Sequence, residues 1–128
     1  MTSREWNTAV ATGLLRVIVG SALLRFRRPL AQRLAGASTD DAVVPALFGY
    51  FGLRDITVGL VTLASTRPDG DVAKAVRLQG HADASDTLLV AALTQTGRVP
   101  RTRGIAMMVI AAGSALSEYA TSLQLRRS

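Results

Sequence analysis

Residues 43–64 read VVPALFGYFGLRDITVGLVTLA, an apolar run of helical length broken near its centre by Arg54-Asp55. About 20 consecutive apolar residues are enough to cross a bilayer as a helix. A charge at the bilayer centre costs about 2.5–3.5 kcal/mol on insertion scales, and more on an isolated helix. The same conflict recurs in each of the other apolar segments. Arg16 interrupts the first, Asp83 and Asp86 the third, and Glu118 the fourth. A chain that bears this cost in every segment is expected to turn its charges toward one another inside a bundle.

Working outward, the chain of 128 residues reads as one domain. Four long helices are predicted, roughly over 6–24, 43–64, 74–97 and 104–123. Arg67-Pro-Asp-Gly70 is a turn signal, and Arg98-Val-Pro-Arg101 marks the next break. The basic stretch from Arg25 to Ala42 has room for a short surface helix around Pro29–Leu34. No segment reads as a strand, and the mixed-charge opening MTSRE reads as the start of a retained helix rather than a signal peptide. Short connections make neighbours antiparallel, so the expected fold is all-α, an integral membrane up-down four-helix bundle. A soluble bundle should show polar outer faces. Here Leu14, Leu15, Val17, Ile18 and Val19 wrap most of a turn in the first helix, and residues 107–112 do the same in the last.

The net charge is +6. Charge alone would admit nucleic acid as a partner, but the positions argue against it. Arg25, Arg27, Arg28 and Arg33 follow the first apolar run, Arg98, Arg101 and Arg103 precede the fourth, and Arg126 and Arg127 close it. Basic residues at the ends of apolar segments belong to membrane-flanking loops. The expected location is the cell membrane, multi-pass, with both termini on one side. The loops after the first and third helices hold seven arginines, against Arg4, Arg67, Lys74, Arg126, Arg127 and the borderline Arg77 on the other side. That small excess favours termini outside. With no cysteine there is no thiolate site. A single histidine among scattered carboxylates lacks metal-ligand spacing, and no cofactor motif is visible, so neither metal nor cofactor is expected.

At 100° per residue, Gly13, Arg16 and Gly20 share one narrow face, and Pro45, Gly49, Gly52, Ile56 and Gly59 share another with Asp55 at its edge. Gln79, Asp83, Asp86 and Val90 align on the third helix. Gly104, Ala111, Ala115, Glu118 and Ser122 align on the fourth. Small residues mark helix–helix contact in membranes, so the ionisable groups are expected to face inward, and such stripes also suit self-association. Arg16, Asp55 and Asp86 lie near mid-helix, with Glu118, Asp83 and His81 displaced toward a common side. Two arginines against four carboxyls leave an excess of negative charge. At least one carboxyl is then expected to be neutral at pH 7, and a neutral acid beside an ionised carboxylate is the general acid/base arrangement.

Structural readings stand beside the functional one. Arg54 and Asp55 diverge by 100° and each should bond a different helix, fixing register. Arg16 is expected to pair with Asp86. His81 fits a headgroup-level residue, and Tyr50 and Tyr119 fit packing or interface positions.

The motif Gly52-Leu-Arg-Asp-Ile-Thr-Val-Gly59, followed by a helix bearing Asp86, resembles a little-characterised family of small four-helix membrane proteins of bacteria and fungi. Arg16, Gly52, Arg54, Asp55, Gly59 and Asp86 stand at the positions that carry the resemblance. It implies no settled activity. The association of some relatives with natural-product biosynthesis implies enzymes acting on lipophilic intermediates. The parts also resemble those of limonene-type epoxide hydrolases, in which one carboxylate activates water and one carboxylic acid protonates the epoxide oxygen. That likeness is one of parts, not of fold.

The leading expectation is cofactor-independent acid/base catalysis on a lipophilic small molecule reached through the lipid bilayer: epoxide opening, cyclisation or isomerisation. Asp55 and Asp86 would form the carboxyl pair, Arg16 and Arg54 would orient them, and Asp83, Glu118 and His81 would support them or relay protons. The alternatives are a proton-linked transporter or channel component, and a non-catalytic accessory subunit. A closed apolar pocket beside the carboxyls favours the enzyme, and a polar path to both surfaces favours transport.

Overall fold

The computed structural model describes residues 1–127, all-helical, with no strand among them. The elements are α1 (Ser3–Arg25), α2 (Arg27–Ala35), α3 (Val43–Ala64), α4 (Val72–Gln95) and α5 (Arg101–Arg127). The short α2 falls on the predicted surface helix. The other four match the expected long helices with ends shifted by a few residues.

Local chemistry sets most boundaries. Thr2 and Glu5 form a capping box at the start of α1, each side chain bonding the other's backbone N–H. The Asp41 carboxylate accepts from the amides of Val43 and Val44 at the start of α3, and Asp71 accepts from Lys74 at the start of α4. Gly36 closes α2 in the left-handed region, at φ 67°.

Three helices, α1, α3 and α5, are long and apolar enough to cross a membrane. Four crossings were expected. α4 falls short in composition because Lys74, Arg77, Asp83 and Asp86 lie along it. The outer surface is apolar: Leu15, Ile18, Leu88, Val109, Ile110 and Leu116 are each at least 60% exposed. Water would make such a surface unfavourable, whereas lipid would not.

Packing is tightest within two hairpins, α1 with α3 and α4 with α5. In the first, Gly20 lies against Gly52 and Gly13 against Gly59, which makes the helices antiparallel. A Cβ added at Gly20 would come within 2.5 Å of the Gly52 carbonyl oxygen, and one at Gly52 would sit equally close to the Gly20 carbonyl. The spacing of seven keeps each glycine pair on one face. The predicted small-residue stripes are therefore the contact surface between these two helices. Gly80 against Tyr119 and Gly104 against Thr94 set α4 antiparallel to α5. Bonds from Gln79 to Thr62 and from Arg54 to Asp86 set α3 antiparallel to α4.

Two apolar clusters lie toward opposite ends. One joins Ala9 to Val72, Ala73, Val76 and Leu125 near the termini. The other joins Ala31 and Ala35 of α2 to Val44, Phe48 and Val99. Between them lies the charged layer.

The glycine contact makes a direct prediction. Gly20→Ala and Gly52→Ala should each destabilise the protein in detergent by roughly 1–3 kcal/mol, because the added methyl meets backbone that cannot rotate away. Gly113, with nothing within 4 Å of its added Cβ, is the control. Gly113→Ala should leave the melting temperature unchanged or raise it, since alanine is the better helix former.

Candidate functional site

Arg16 is the centre of the charged layer. It projects from the buried face of α1, between Gly13 and Gly20. Its Nη1 donates to Asp55 Oδ1 of α3 at 2.8 Å. Its Nη2 donates to Asp83 Oδ2 of α4 at 2.5 Å and to Glu118 Oε1 of α5 at 2.6 Å. One guanidinium thus ties all four long helices together. The four side chains are between 8% and 13% exposed.

A second pair lies beside the first. Arg54 bonds Asp86 through Nη2, and its guanidinium lies over the rings of Tyr50 and Phe51 at 5.8 and 5.7 Å. The expected divergence of Arg54 and Asp55 is therefore observed, each reaching a different helix. The expected pairing of Arg16 with Asp86 is not. Asp86 goes to Arg54, while Arg16 takes Asp83, one turn closer to the start of α4. The reason is register: α1 and α4 run parallel with Thr12 beside Gln79, which brings Arg16 level with Asp83. Periodicity places a residue on a face and leaves its depth against another helix open.

The two arginines share the carboxyls unequally. Arg54 and Asp86 balance one to one. Arg16 meets three carboxyls, so the whole negative excess falls on its cluster. Asp83 and Glu118, expected in supporting roles, bond Arg16 directly. His81 stands apart on the exposed side of α4, its Nδ1 hydrogen-bonded to the Tyr119 hydroxyl at 2.7 Å and its ring edge-on to the tyrosine. Among the described residues no group of three His, Asp or Glu side chains is arranged to hold a metal ion.

A polar set beside the cluster had no role assigned from sequence. Gln79 is fully buried, and its amide donates to Thr62 Oγ1 at 2.8 Å and Thr12 Oγ1 at 3.2 Å. The available signal was its place one turn before Asp83 on the same face.

A cavity of about 380 Å³ opens over these groups. Arg16, Asp55, Gln79, Asp83, Asp86 and Glu118 line its polar part. Its walls are Leu15, Val19 and Leu23 of α1, Phe48 and Phe51 of α3, and Met107 and Ile110 of α5. The volume falls within the usual range for small-molecule sites. Leu15 and Ile110 are also among the most exposed apolar residues, and α1 and α5 do not form one of the close helix pairs. The cavity therefore reaches the surface between α1 and α5.

Comparison of the chain with known protein families, curated proteins and solved structures finds no match.

The unequal sharing predicts opposite responses to neutralisation. Asp86→Asn leaves the half-buried Arg54 without its carboxylate and should cost up to about 3 kcal/mol, the low end for breaking a buried pair; adding Arg54→Gln should recover part of that loss. Glu118→Gln removes one of three like charges around Arg16 and should cost far less. Thermal unfolding in a neutral detergent at pH 7 measures all three, and equal losses for Asp86→Asn and Glu118→Gln would contradict this charge assignment.

Proposed function

We propose that the chain is a multi-pass membrane protein whose four long helices form an up-down bundle, with α4 crossing in the shelter of the other three. In this reading the charged layer performs acid/base chemistry on a lipophilic small molecule that reaches the cavity sideways from the bilayer, between α1 and α5. The observation that carries it is the cavity itself: apolar walls open toward the lipid-compatible surface, and a base of carboxyls and guanidinium.

Glu118 and Asp55 are the proposed working pair. Glu118 lines the cavity and keeps Oε2 without a hydrogen-bond partner. Asp55 lines it on the opposite hairpin. In this reading, one of the three carboxyls that share the Arg16 guanidinium carries a proton and another is ionised. In epoxide opening, the protonated carboxyl gives its proton to the ring oxygen as the C–O bond breaks. The ionised carboxylate takes a proton from the water whose oxygen forms the new C–O bond. The two carboxyls end with exchanged protonation states, and one proton passing between them restores the site. Isomerisation and cyclisation use the same acid and base. Arg16 orients both groups and holds one of them ionised. Asp86, neutralised by Arg54, serves to position the cavity wall.

Transport ranks second because the buried polar side chains beyond the charged layer lead one way. Gln79, Thr62, Ser65 and Ser122 lie toward the termini. Toward α2 the buried residues include Val44, Phe48, Phe51, Val90 and Val99.

The test uses the wild-type protein in nanodiscs with a lipophilic terminal epoxide, scoring diol formation. Turnover is expected, and Glu118→Gln and Asp55→Asn should each lower it at least about a hundredfold, the usual scale of one acid/base group. His81→Ala should leave it near wild type. A wild-type protein that conducts protons in liposomes while leaving lipophilic epoxides and alkenes unchanged would replace this reading with transport.

Topology is tested separately. Both termini should lie on one face and α2 on the other, with the arginine-rich α2 face cytoplasmic. Single cysteines at Ser3 and Ser38 should label from opposite sides, Ser3 from outside.

A further inference from the structure

Four observations bear on what the cavity holds. The first is the orientation of the Gln79 amide. The hydroxyls of Thr12 and Thr62 donate to the carbonyls of Thr8 and Val58, at 2.8 and 2.9 Å. Each hydroxyl has one proton, so toward Gln79 both can only accept. The group facing them must be the amide NH2, and the carbonyl oxygen must be turned away from them. That oxygen, Oε1, is buried, has no partner, and belongs to a residue that lines the cavity and is 0% exposed. A buried acceptor left unpaired is costly, by about 1–3 kcal/mol.

The second is Glu118 Oε2, also buried and unpartnered on the same cavity. In the carboxylate form it too is an acceptor. Among the described residues the remaining unpartnered buried side-chain atom is a donor, Arg54 Nε, and Arg54 does not line the cavity. Ser114 adds a hydroxyl, which serves either role.

The third is charge. Asp55, Asp83 and Glu118 share the single positive charge of Arg16. The cluster is short of cations, not of anions. The fourth is the wall, which is aliphatic and aromatic.

We propose that the cavity binds a lipophilic amine in its protonated form, its N–H groups donating to Gln79 Oε1 and the Glu118 carboxylate and its apolar body lying along α1 and α5. An anion would meet three carboxyls. A ligand with acceptors alone would leave both protein acceptors unpaired. A neutral alcohol could satisfy one of them and would leave the charge excess standing. An ammonium with at least two N–H groups satisfies both acceptors and the charge together.

This assigns the substrate class for the acid/base reading above, yet binding can be measured without turnover. The probes are 4-phenylbutylamine, its N,N,N-trimethylammonium analogue and 4-phenylbutanol. They keep one apolar body while the head changes from charged donor to charged non-donor to neutral donor. Equilibrium binding to the nanodisc-embedded protein, corrected against empty nanodiscs, gives the affinities. The primary amine should bind about tenfold or more tightly than either analogue. Gln79→Leu should reduce the preference for the primary over the trimethylated amine by about tenfold, the scale of one hydrogen bond to a charged donor. Glu118→Gln, which preserves side-chain size, should reduce the preference for the primary amine over the alcohol and serves as the second variant if Gln79→Leu does not fold. Alcohol binding equal to amine binding, or undiminished preferences in the folded variants, would overturn the proposal. Amine binding without turnover of any lipophile would uphold the ligand class and remove the catalytic reading. Turnover of neutral lipophiles with no amine preference would do the reverse.

Discussion

One guanidinium organises this protein. Arg16 sits at mid-depth and is bonded by carboxyls from each of the other three long helices. Taking a charge out of water costs several kcal/mol even after relaxation, and geometry together with partners must offset it. Here the offset comes from three chain-distant carboxyls at once. The arrangement fixes the depth of α3, α4 and α5 relative to α1. Slipping any of them by one turn, about 5.4 Å, would strand a carboxyl. In a low-dielectric surround that penalty is large, so the cluster acts as a register pin.

The glycine contact is what allows the pin to close. Gly20 faces Gly52 and Gly13 faces Gly59 so closely that no side chain fits between them. That approach brings Arg16 and Asp55 together without a long reach by either. The second hairpin contributes differently. α5 packs on α4 and leaves a gap toward α1, and the gap gives the charged layer its apolar access. Glycines mark the close contacts in both hairpins, Gly13, Gly20, Gly52 and Gly59 in the first and Gly80 and Gly104 in the second, while Gly113 of α5 meets nothing.

The cavity's walls suit a hydrocarbon, its free polar atoms are acceptors, and its charge balance is negative. Glu118 shares the Arg16 guanidinium with two other carboxyls and has one oxygen without a hydrogen-bond partner. Arg54 and Asp86 are balanced one to one and backed by the rings of Tyr50 and Phe51.

Much of this was legible in the residues themselves. A charge in each apolar run implied an inward-facing bundle, because lipid tolerates an unpaired charge poorly. The 3.6-residue period put Arg16, Asp83 and Glu118 on buried faces, and put Gly13, Gly20, Gly52 and Gly59 at helix contacts. Spacing along one helix, however, says nothing about which level of another helix lies opposite. So the sequence points Arg16 toward Asp86, where the structure pairs it with Asp55, Asp83 and Glu118, and it leaves the place of Gln79 and the division of carboxyls between the two arginines open. Those were decided by the parallel register of α1 and α4, which the packing of two separate hairpins sets. The open seam between α1 and α5 is likewise a property of packing: periodicity marks the faces that can meet, and only the assembled helices show which of them stay apart.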